Sequence, residues 1–354
     1  LQLLNRIDVR FGVLEVFDQR FNAIAVRAGQ DAQGWDIALD SEAIAGRGRF
    51  LQTPEQNLTM TFERLHLAAL DKESKPSDFD PRHWPALHLT SESFKYGDID
   101  MGRTTLDASK QTGGLRIDRL QLESGYFRFD ATGDWLVSGT GQTSRIDGKL
   151  NADDLGKALA QLGYAETVEG GKAQMEIAAN WPGGPDDYAL ANLNGTLSLK
   201  ASNGRFLDIE PGAGRIFGLL SLQALPRRLT LDFSDLFAKG FGFDKLSGNF
   251  SLQQGNAYTN NFIMEGPSAA IAVTGRTGLD AKDYDQVVTV VPQIGSTLPL
   301  AAAVAGGPIA ALSAFLAGKL LPGISEIARY QYTVKGPWEN PVIEPVSKVP
   351  ETKP

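Results

Sequence analysis

The 354-residue chain contains no cysteine and only three histidines, His66, His83 and His88. The lack of cysteine excludes disulfide bridges and thiolate metal sites. Basic residues are in the minority, because 34 Lys and Arg stand against 42 Asp and Glu, which leaves a formal net charge of -8. Nucleic-acid binding requires a basic face, and electrostatic docking on anionic lipid requires excess positive charge. We therefore expect no nucleic-acid partner.

Residue patterns that carry chemistry are also scarce. Asp78, Asp80, His83 and His88 lie close together, but Pro81 and Pro85 interrupt them, which favours a solvated connector over a metal site. The few histidines lie near no Gly-x-Ser-x-Gly nucleophile turn. The glycine-rich stretch at 212–218 lacks the spacing of a dinucleotide-binding loop. These observations predict a non-catalytic protein with no cofactor and no metal.

Charge is missing from one long stretch, since no Asp, Glu, Lys or Arg lies between Asp285 and Lys319. About 20 apolar residues can cross a bilayer, yet the Gly306-Gly307-Pro308 break divides residues 298–321 into two short helices. The pattern fits a buried helix that covers a sheet, a helix that dips into a membrane surface, and a true span. The candidate residues for membrane contact or for capping a groove are Leu298, Leu300, Ile309, Leu312, Phe315, Leu316 and Leu320.

The first half of the chain alternates between apolar and polar residues with a period of two, which is typical of half-buried strands. Leu58, Met60 and Phe62 share one face, and the phase of the first strand shifts after Val13 to Leu14. Turn residues recur about every ten residues and predict an antiparallel meander, with a connector over Asp71–Pro85. The predicted strands are Ile7–Val13, Phe21–Val26, Trp35–Leu39, Ala43–Leu51, Leu58–Leu67, Ala86–Thr90, Ile99–Leu106, Leu115–Leu122, Tyr126–Thr132 and Arg145–Leu150.

The second half adds short helices to further strands. The spacing of apolar residues and the capping residues predict helices over 153–162, capped by Asn151 or Asp153, and over 214–225. Residues 1–150 are predicted to form one β-rich segment and 151–345 a second domain, and the chain beyond Pro337 is expected to fray, with a flexible tail at 346–354. The predicted strands are Ala173–Asn180, Leu193–Ala201, Gly204–Ile209, Leu229–Phe233, Phe241–Gln253, Ala257–Glu265, Ala269–Thr274, Asp285–Val291 and Tyr330–Lys335.

A weak internal repeat relates Glu123–Gly133 to Glu265–Gly275. Both segments begin with Glu, end with Thr-Gly at the same spacing, and follow a predicted strand. Coincidence explains a match this short. The alternative is a sheet that grew by the addition of similar hairpins.

Apolar residues cluster on the strands of one predicted β region. The cluster fits two interpretations, the filled core of a sandwich and an open, curved sheet whose apolar face holds acyl chains, because both produce the same alternation. The candidate groove residues are Phe233, Phe241, Phe243, Leu246, Phe250, Leu252, Ile271 and Val273.

A longer pattern resembles a known family. Residues 204–237, Tyr284–Val290 and Tyr330–Trp338 resemble the C-terminal signature of the YhdP branch of the AsmA-like family, and the resemblance is strongest over about 153–345. It implies a mostly β fold, with a long, curved antiparallel sheet, an apolar groove and a few short helices near the C-terminus.

The resemblance also implies a function. Such proteins are anchored in the Gram-negative inner membrane by a segment that would lie upstream of this chain, and they extend through the periplasm. They carry phospholipids between the inner and outer membranes and have no catalytic residues. The implied partners are phospholipid acyl chains, a membrane surface at the C-terminal end and envelope proteins. The alternative is a non-catalytic envelope scaffold or assembly factor for outer-membrane biogenesis.

Overall fold

The computed structural model describes residues 5–16, 18–52, 56–69, 79–139, 141–164, 167–207, 241–267, 269–292 and 330–346. These residues are mostly in β-strands, which confirms the predicted fold class. The helices predicted over 214–225 and 298–321, and the strand predicted at Leu229–Phe233, lie outside the described residues.

The chain divides into two compact units. Unit 1 comprises Leu1–Asn151, Gln161–Gly163 and Ile177–Ala189, and unit 2 comprises Ala152–Ala160, Tyr164–Glu176 and Leu190–Pro354. The first ten strands are β1 (Arg6–Val16), β2 (Gln19–Gln30), β3 (Gly34–Asp40), β4 (Ile44–Leu51), β5 (Asn57–Leu67), β6 (Ala86–Tyr96), β7 (Ile99–Gln111), β8 (Gly114–Glu123), β9 (Phe127–Ser138) and β10 (Gly141–Ala152). The others are β11 (Val168–Pro182), β12 (Asn194–Phe206), β13 (Phe241–Gln253), β14 (Asn256–Glu265), β15 (Ala269–Gly278), β16 (Asp283–Pro292), β17 (Tyr330–Pro337) and β18 (Val342–Pro345).

Short helical elements interrupt the strands. The α-helix α1 covers Leu155–Gln161, and 3-10 turns cover Pro81–His83, Pro185–Asp187 and Leu190–Asn192. The predicted helix over 153–162 is therefore present but shorter. Its start differs from the prediction, because the Asp154 carboxylate accepts a hydrogen bond from the Lys157 amide at 3.0 Å, as a capping residue does.

Consecutive strands of unit 1 pair with one another from β1 to β9. The pairs are antiparallel, as the short turns predict, except for β5 and β6. Those two strands run parallel, with Asn57 opposite Ala86 and Leu67 opposite Tyr96. A parallel neighbour requires the chain to return along the whole strand, and the predicted connector supplies that length.

The core of unit 1 lies on one face of this sheet. Phe21, Ile24, Ile44, Met60 and Phe62 are each at most 6% exposed and form one hydrophobic cluster. Leu14 packs against this cluster and Val13 is 45% exposed, as the predicted phase shift in β1 requires. Val16, which the same shift would turn inward, is 37% exposed, so the shift holds at Leu14 and not at Val16.

Two glycines of β4 allow large side chains of β5 to lie flat across the sheet. A Cβ atom on Gly48 would be 2.1 Å from the Thr59 carbonyl oxygen and 2.3 Å from the Met60 sulfur. A Cβ atom on Gly46 would be 2.5 Å from the Phe62 ring. Met60 and Phe62 therefore lie over the neighbouring strand, where a side chain is missing.

The internal repeat is present in the strand pairing and extends over four strands. β7 to β10 and β13 to β16 begin at positions that differ by 142 residues, namely Ile99 and Phe241, Gly114 and Asn256, Phe127 and Ala269, and Gly141 and Asp283. The registers agree as well, because Leu122 pairs with Phe129 just as Met264 pairs with Ile271. Both hairpins also shift register at equivalent places, after Ile117 and after Thr259.

Unit 2 differs from the prediction at two places. The segments predicted as separate strands at Leu193–Ala201 and Gly204–Ile209 form the single strand β12. Asn203 has a φ of 54° within it, and this left-handed residue changes which face the following side chains occupy. The chain beyond Pro337, expected to fray, contributes β18, which pairs with β17.

The glycine contacts in unit 1 predict a difference between two substitutions. Gly48→Ala should lower the free energy of unfolding by about 1–3 kcal/mol, because the new methyl group overlaps backbone atoms of β5. Gly29→Ala in β2 is the matched control, because nothing lies within 4 Å of its Cβ position. Urea unfolding followed by circular dichroism measures both. Equal stability of the two variants would contradict the close approach of β4 and β5.

Candidate functional site

One face of unit 1 is apolar across nine strands. Paired residues on adjacent strands project to the same side, so the register identifies which side chains line up. One row across the sheet is Ile7, Ala28, Ile37, Gly48, Met60, Leu89, Leu106, Leu120 and Ala131. A second row is Trp35, Phe50, Leu58, Leu87, Ala108, Ile117 and Gly133. We call these two rows, with Val9 and Phe11 of β1, the apolar face.

The opposite face of unit 1 carries charges in registered pairs. Asp8 is opposite Arg27, Asp36 is opposite Arg49, and Glu123 is opposite Arg128. Arg49 bonds Asp36 at 2.8 Å and Asp31 at 2.6 Å. Each such exposed pair adds little to stability, because solvent screens the charges. Their larger effect is to keep this face hydrated, so that the two faces of the sheet have opposite character.

One row of the charged face contains a carboxylate that bonds a partner on each neighbouring strand. Asp107 lies between His88 and Arg119, bonds the His88 ring, and accepts a 2.7 Å hydrogen bond from Arg119. Burial alone would raise the pKa of Asp107, but the hydrogen bonds from His88 and Arg119 outweigh it and lower the pKa. The Asp107 carboxylate is therefore held in its charged form.

The apolar face is only partly covered. Met60, Ala108 and Ala131 are buried, but most side chains of the two rows are half-buried, and Ile7, Val9 and Phe11 are 38%, 39% and 37% exposed. A run of accessible apolar side chains this long is unusual for a protein surface and is typical of a binding site.

A cavity of about 670 Å³ opens on this face at one end of the strands. Ile7, Ala28 and Ile37 of the first row and Trp35, Phe50 and Leu58 of the second row line it from the sheet. Phe79, Asp80, His83, Trp84 and Pro85 line it from the opposite side. We call residues 79–85 the crossover segment, because they end the connection between the parallel strands β5 and β6.

A local network shapes the crossover segment. Asp80 caps the 3-10 turn by accepting a 2.9 Å hydrogen bond from the Arg82 amide, and it accepts two further bonds from the Arg82 side chain, from Nε at 2.9 Å and from Nη2 at 2.6 Å. The Arg82 side-chain bonds lower the pKa of Asp80 to about 2. The carboxylate at the edge of the cavity is therefore charged and already neutralised by Arg82.

The predicted groove residues of the described chain lie together on one face of unit 2. Leu246 pairs with Met264, Met264 with Ile271, and Ile271 with Val290, and the remaining residues occupy the same side. They are 0–6% exposed, which is the burial of a packed interior. The seven residues are Phe241, Phe243, Leu246, Phe250, Leu252, Ile271 and Val273.

Other predicted site residues lie outside the described residues, namely Phe233 and the terminal set Leu298, Leu300, Ile309, Leu312, Phe315, Leu316 and Leu320. In the part of the chain that is described, no helix is long and apolar enough to cross a membrane. Across the same residues, no group of three or more His, Asp or Glu is placed to hold a metal ion. His83 lies 3.8 Å from Asp80, whereas His88 pairs with Asp107.

The accessible face and the cavity of unit 1 were not predicted from the sequence. Signals for both are present in it, because Ile7, Val9 and Phe11 alternate without interruption and the polar connector contains Phe79 and Trp84. The cavity depends on bringing that connector against β1 to β5, and alternation within single strands does not indicate such a contact.

The pKa of Asp107 predicts a pH dependence of stability. A carboxylate whose pKa is lowered on folding stabilises the fold above the pKa of the unfolded chain, and this contribution is lost as the pH falls through the lowered pKa. Asp107→Asn should therefore lower the free energy of unfolding at pH 7, by up to about 1 kcal/mol for a partly exposed pair. The difference from the parent chain should shrink below about pH 4. Urea titrations at pH 7 and pH 3 measure it, with Asp118→Asn as a control, and a difference that grows in acid would contradict this assignment.

Comparisons with known proteins agree with the resemblance in the sequence. A family profile described as "YhdP protein" matches residues 1–343. The chain is 25% identical over 355 residues to the "Intermembrane phospholipid transporter YhdP" of Escherichia coli (strain K12), an alignment that covers 97% of this chain and 28% of that protein. No solved structure matches the chain significantly. The chain therefore belongs to the YhdP family.

Proposed function

We propose that this chain carries phospholipids across the periplasm between the inner and outer membranes, as one part of a longer bridge. The single observation that supports this function is the half-exposed apolar face of unit 1, which continues across nine strands. In the proposal this face forms the floor of a hydrophobic groove, and the acyl chains lie on it. The role is non-catalytic, because lipid moves without any bond being made or broken.

The physical reason is the cost of exposing acyl chains to water. Each CH₂ group that enters water costs about 0.8 kcal/mol, so a chain of about 15 such groups costs on the order of 12 kcal/mol. An apolar surface that continues from strand to strand removes most of this cost at every step. The polar headgroup stays in water, and the charged opposite face keeps the protein hydrated.

The family relationship supports the same function. The Escherichia coli relative is named as an intermembrane phospholipid transporter, and this chain spans 28% of its length. We infer that this chain performs a share of such a task, with phospholipid acyl chains as its ligand. Envelope proteins are the other partners that we propose.

Photocrosslinking on β1 tests lipid carriage. A photoreactive phenylalanine analogue at Val9 on the apolar face should crosslink to phospholipid when the chain is produced in the periplasm of a Gram-negative host. The same analogue at Arg10 is the matched control, because neighbouring residues of a strand point to opposite faces. Mass spectrometry of the crosslinked products and of lipid extracted from the purified chain provides the measurement.

The same experiment distinguishes the rival function. Crosslinks from Val9 to protein alone, together with no extracted phospholipid, would contradict transport and support a non-catalytic envelope scaffold. Lipid crosslinks of equal yield from Val9 and Arg10 would mean that lipid coats the surface without using the apolar face.

We also propose that the charge-free segment at 298–321 contacts a membrane surface at the C-terminal end of the chain. Leu312→Asp with Phe315→Asp should then weaken binding to liposomes and leave the β signal in circular dichroism unchanged, because only the apolar side of the predicted helix is altered. Ser313→Asp with Ala317→Asp is the control, because it adds the same two charges on the other side of the predicted helix. Unfolding of the double variant would instead assign these residues to the core.

A further inference from the structure

The crossover segment is a fixed wall and not a loose loop. Its Phe79 carbonyl oxygen accepts a 2.7 Å hydrogen bond from Gln142, whose own side-chain oxygen accepts a 2.8 Å bond from the Trp135 indole. The Trp84 ring lies 6.2 Å from both the Phe79 and the Trp135 ring centres. These contacts hold the aromatic side chains of the segment against β9 and β10 of the same unit.

Close packing on the sheet holds the turn itself. Pro81 is buried, and a Cβ atom on Gly114 would be 3.1 Å from the Pro81 ring. Glycine at this position lets the turn rest directly on β8. The cavity therefore has two preformed walls, the apolar face below and the crossover segment above, as ligand sites commonly do.

The volume of the cavity limits what it can hold. A cavity of about 150 Å³ accommodates the six carbons of benzene, which corresponds to roughly 25 Å³ per carbon. At that density one acyl chain of 16–18 carbons needs about 400–450 Å³, and two chains need about 800–900 Å³. The cavity of about 670 Å³ therefore has room for one chain, and since it opens to solvent, a second chain of the same lipid would extend beyond it.

The chemistry of the lining gives the ligand an orientation. The six residues contributed by the sheet are all apolar, whereas Asp80 and His83 belong to the crossover segment. His83 is 83% exposed at its side chain, and Asp80 is paired with Arg82. An apolar tail can be buried against the sheet while a hydrated polar group remains beside the crossover segment.

We propose that this cavity holds a single acyl chain of a phospholipid, whose headgroup lies in water beside Asp80 and His83. The proposal rests on the proposed function and makes it more specific. Ile7 belongs both to the cavity and to the exposed row of β1, so the cavity is continuous with the apolar face. The second acyl chain of the same lipid lies along that row, outside the cavity.

Tryptophan fluorescence tests the proposal, because bromine quenches only nearby rings. Trp35 and Trp84 line the cavity and are two of the five tryptophans in the chain. The full chain is loaded from vesicles of phosphatidylethanolamine and phosphatidylglycerol in which one acyl chain carries bromine, and is then separated from the vesicles. Trp135 packs against Trp84, with 6.2 Å between the ring centres, so we expect a loss of up to about three fifths of the fluorescence.

Two matched substitutions assign the quenching to the cavity. Ala28→Phe places a ring in the cavity and should reduce the quenching several-fold. Ala38→Phe is the control, because Ala38 is half-buried on β3 opposite Arg27, on the charged face. Quenching of Ala28→Phe equal to that of the parent chain, with the β signal intact, would overturn the proposal.

A second pair of changes decides the outcome if Ala28→Phe fails to fold. Trp35→Phe with Trp84→Phe should remove most of the quenching without changing the amount of phospholipid retained. A remainder is expected at Trp135, whose ring centre lies 6.2 Å from that of Trp84, and undiminished quenching would overturn the proposal. Retained phospholipid with no quenching in the parent chain would overturn the cavity site alone, whereas no retained phospholipid would also overturn the proposed function. Quenching by free brominated fatty acid but not by brominated phospholipid would assign the cavity to a free fatty acid and overturn the proposal.

Discussion

The two-residue repeat of the β-strand, carried from strand to strand by the hydrogen-bonded register, is the constraint on which unit 1 depends. Each strand separates its apolar and charged side chains onto opposite sides. The register then aligns Ile7 with Ala28 and Ile37, and Asp36 with Arg49. A shift of one residue in any pair would place charge in the apolar face. The same pairing that holds the sheet together therefore produces both of its surfaces.

The parallel pair in the middle of unit 1 has a consequence for the site. Antiparallel neighbours need only short turns, but β6 starts beside the beginning of β5, so the chain must return along the strand. The end of that return path, the crossover segment, supplies Phe79 and Trp84 to the wall of the cavity. A uniform antiparallel meander would have left the apolar face open at this point. One departure from regular pairing thus creates a bounded cavity.

The four-strand repeat occurs once in each unit, but its side chains are buried to different degrees in the two copies. β7 to β10 and β13 to β16 share an offset of 142 residues, as Ile99 and Phe241 illustrate, together with matching register shifts. In unit 2 the equivalent side carries Phe262 and Val273, each 0% exposed. In unit 1 the corresponding pair is Leu120 and Ala131, and Leu120 remains half-buried. The same arrangement of four strands therefore carries different side chains in the two units, and the burial of those side chains differs.

The sequence by itself determined the fold class, the position of most strands, the shared face of Leu58, Met60 and Phe62, and the family. These properties follow from local alternation, turn residues and a long signature, all of which can be read along the chain. Only the tertiary structure decided that β5 and β6 are parallel and that Trp84 lies opposite Trp35 across a cavity. It also decided that the apolar residues of β13 are buried while those of β1 are accessible. The physical reason is that exposure and cavities depend on which distant segments meet, and alternation is the same for a covered face and an open one.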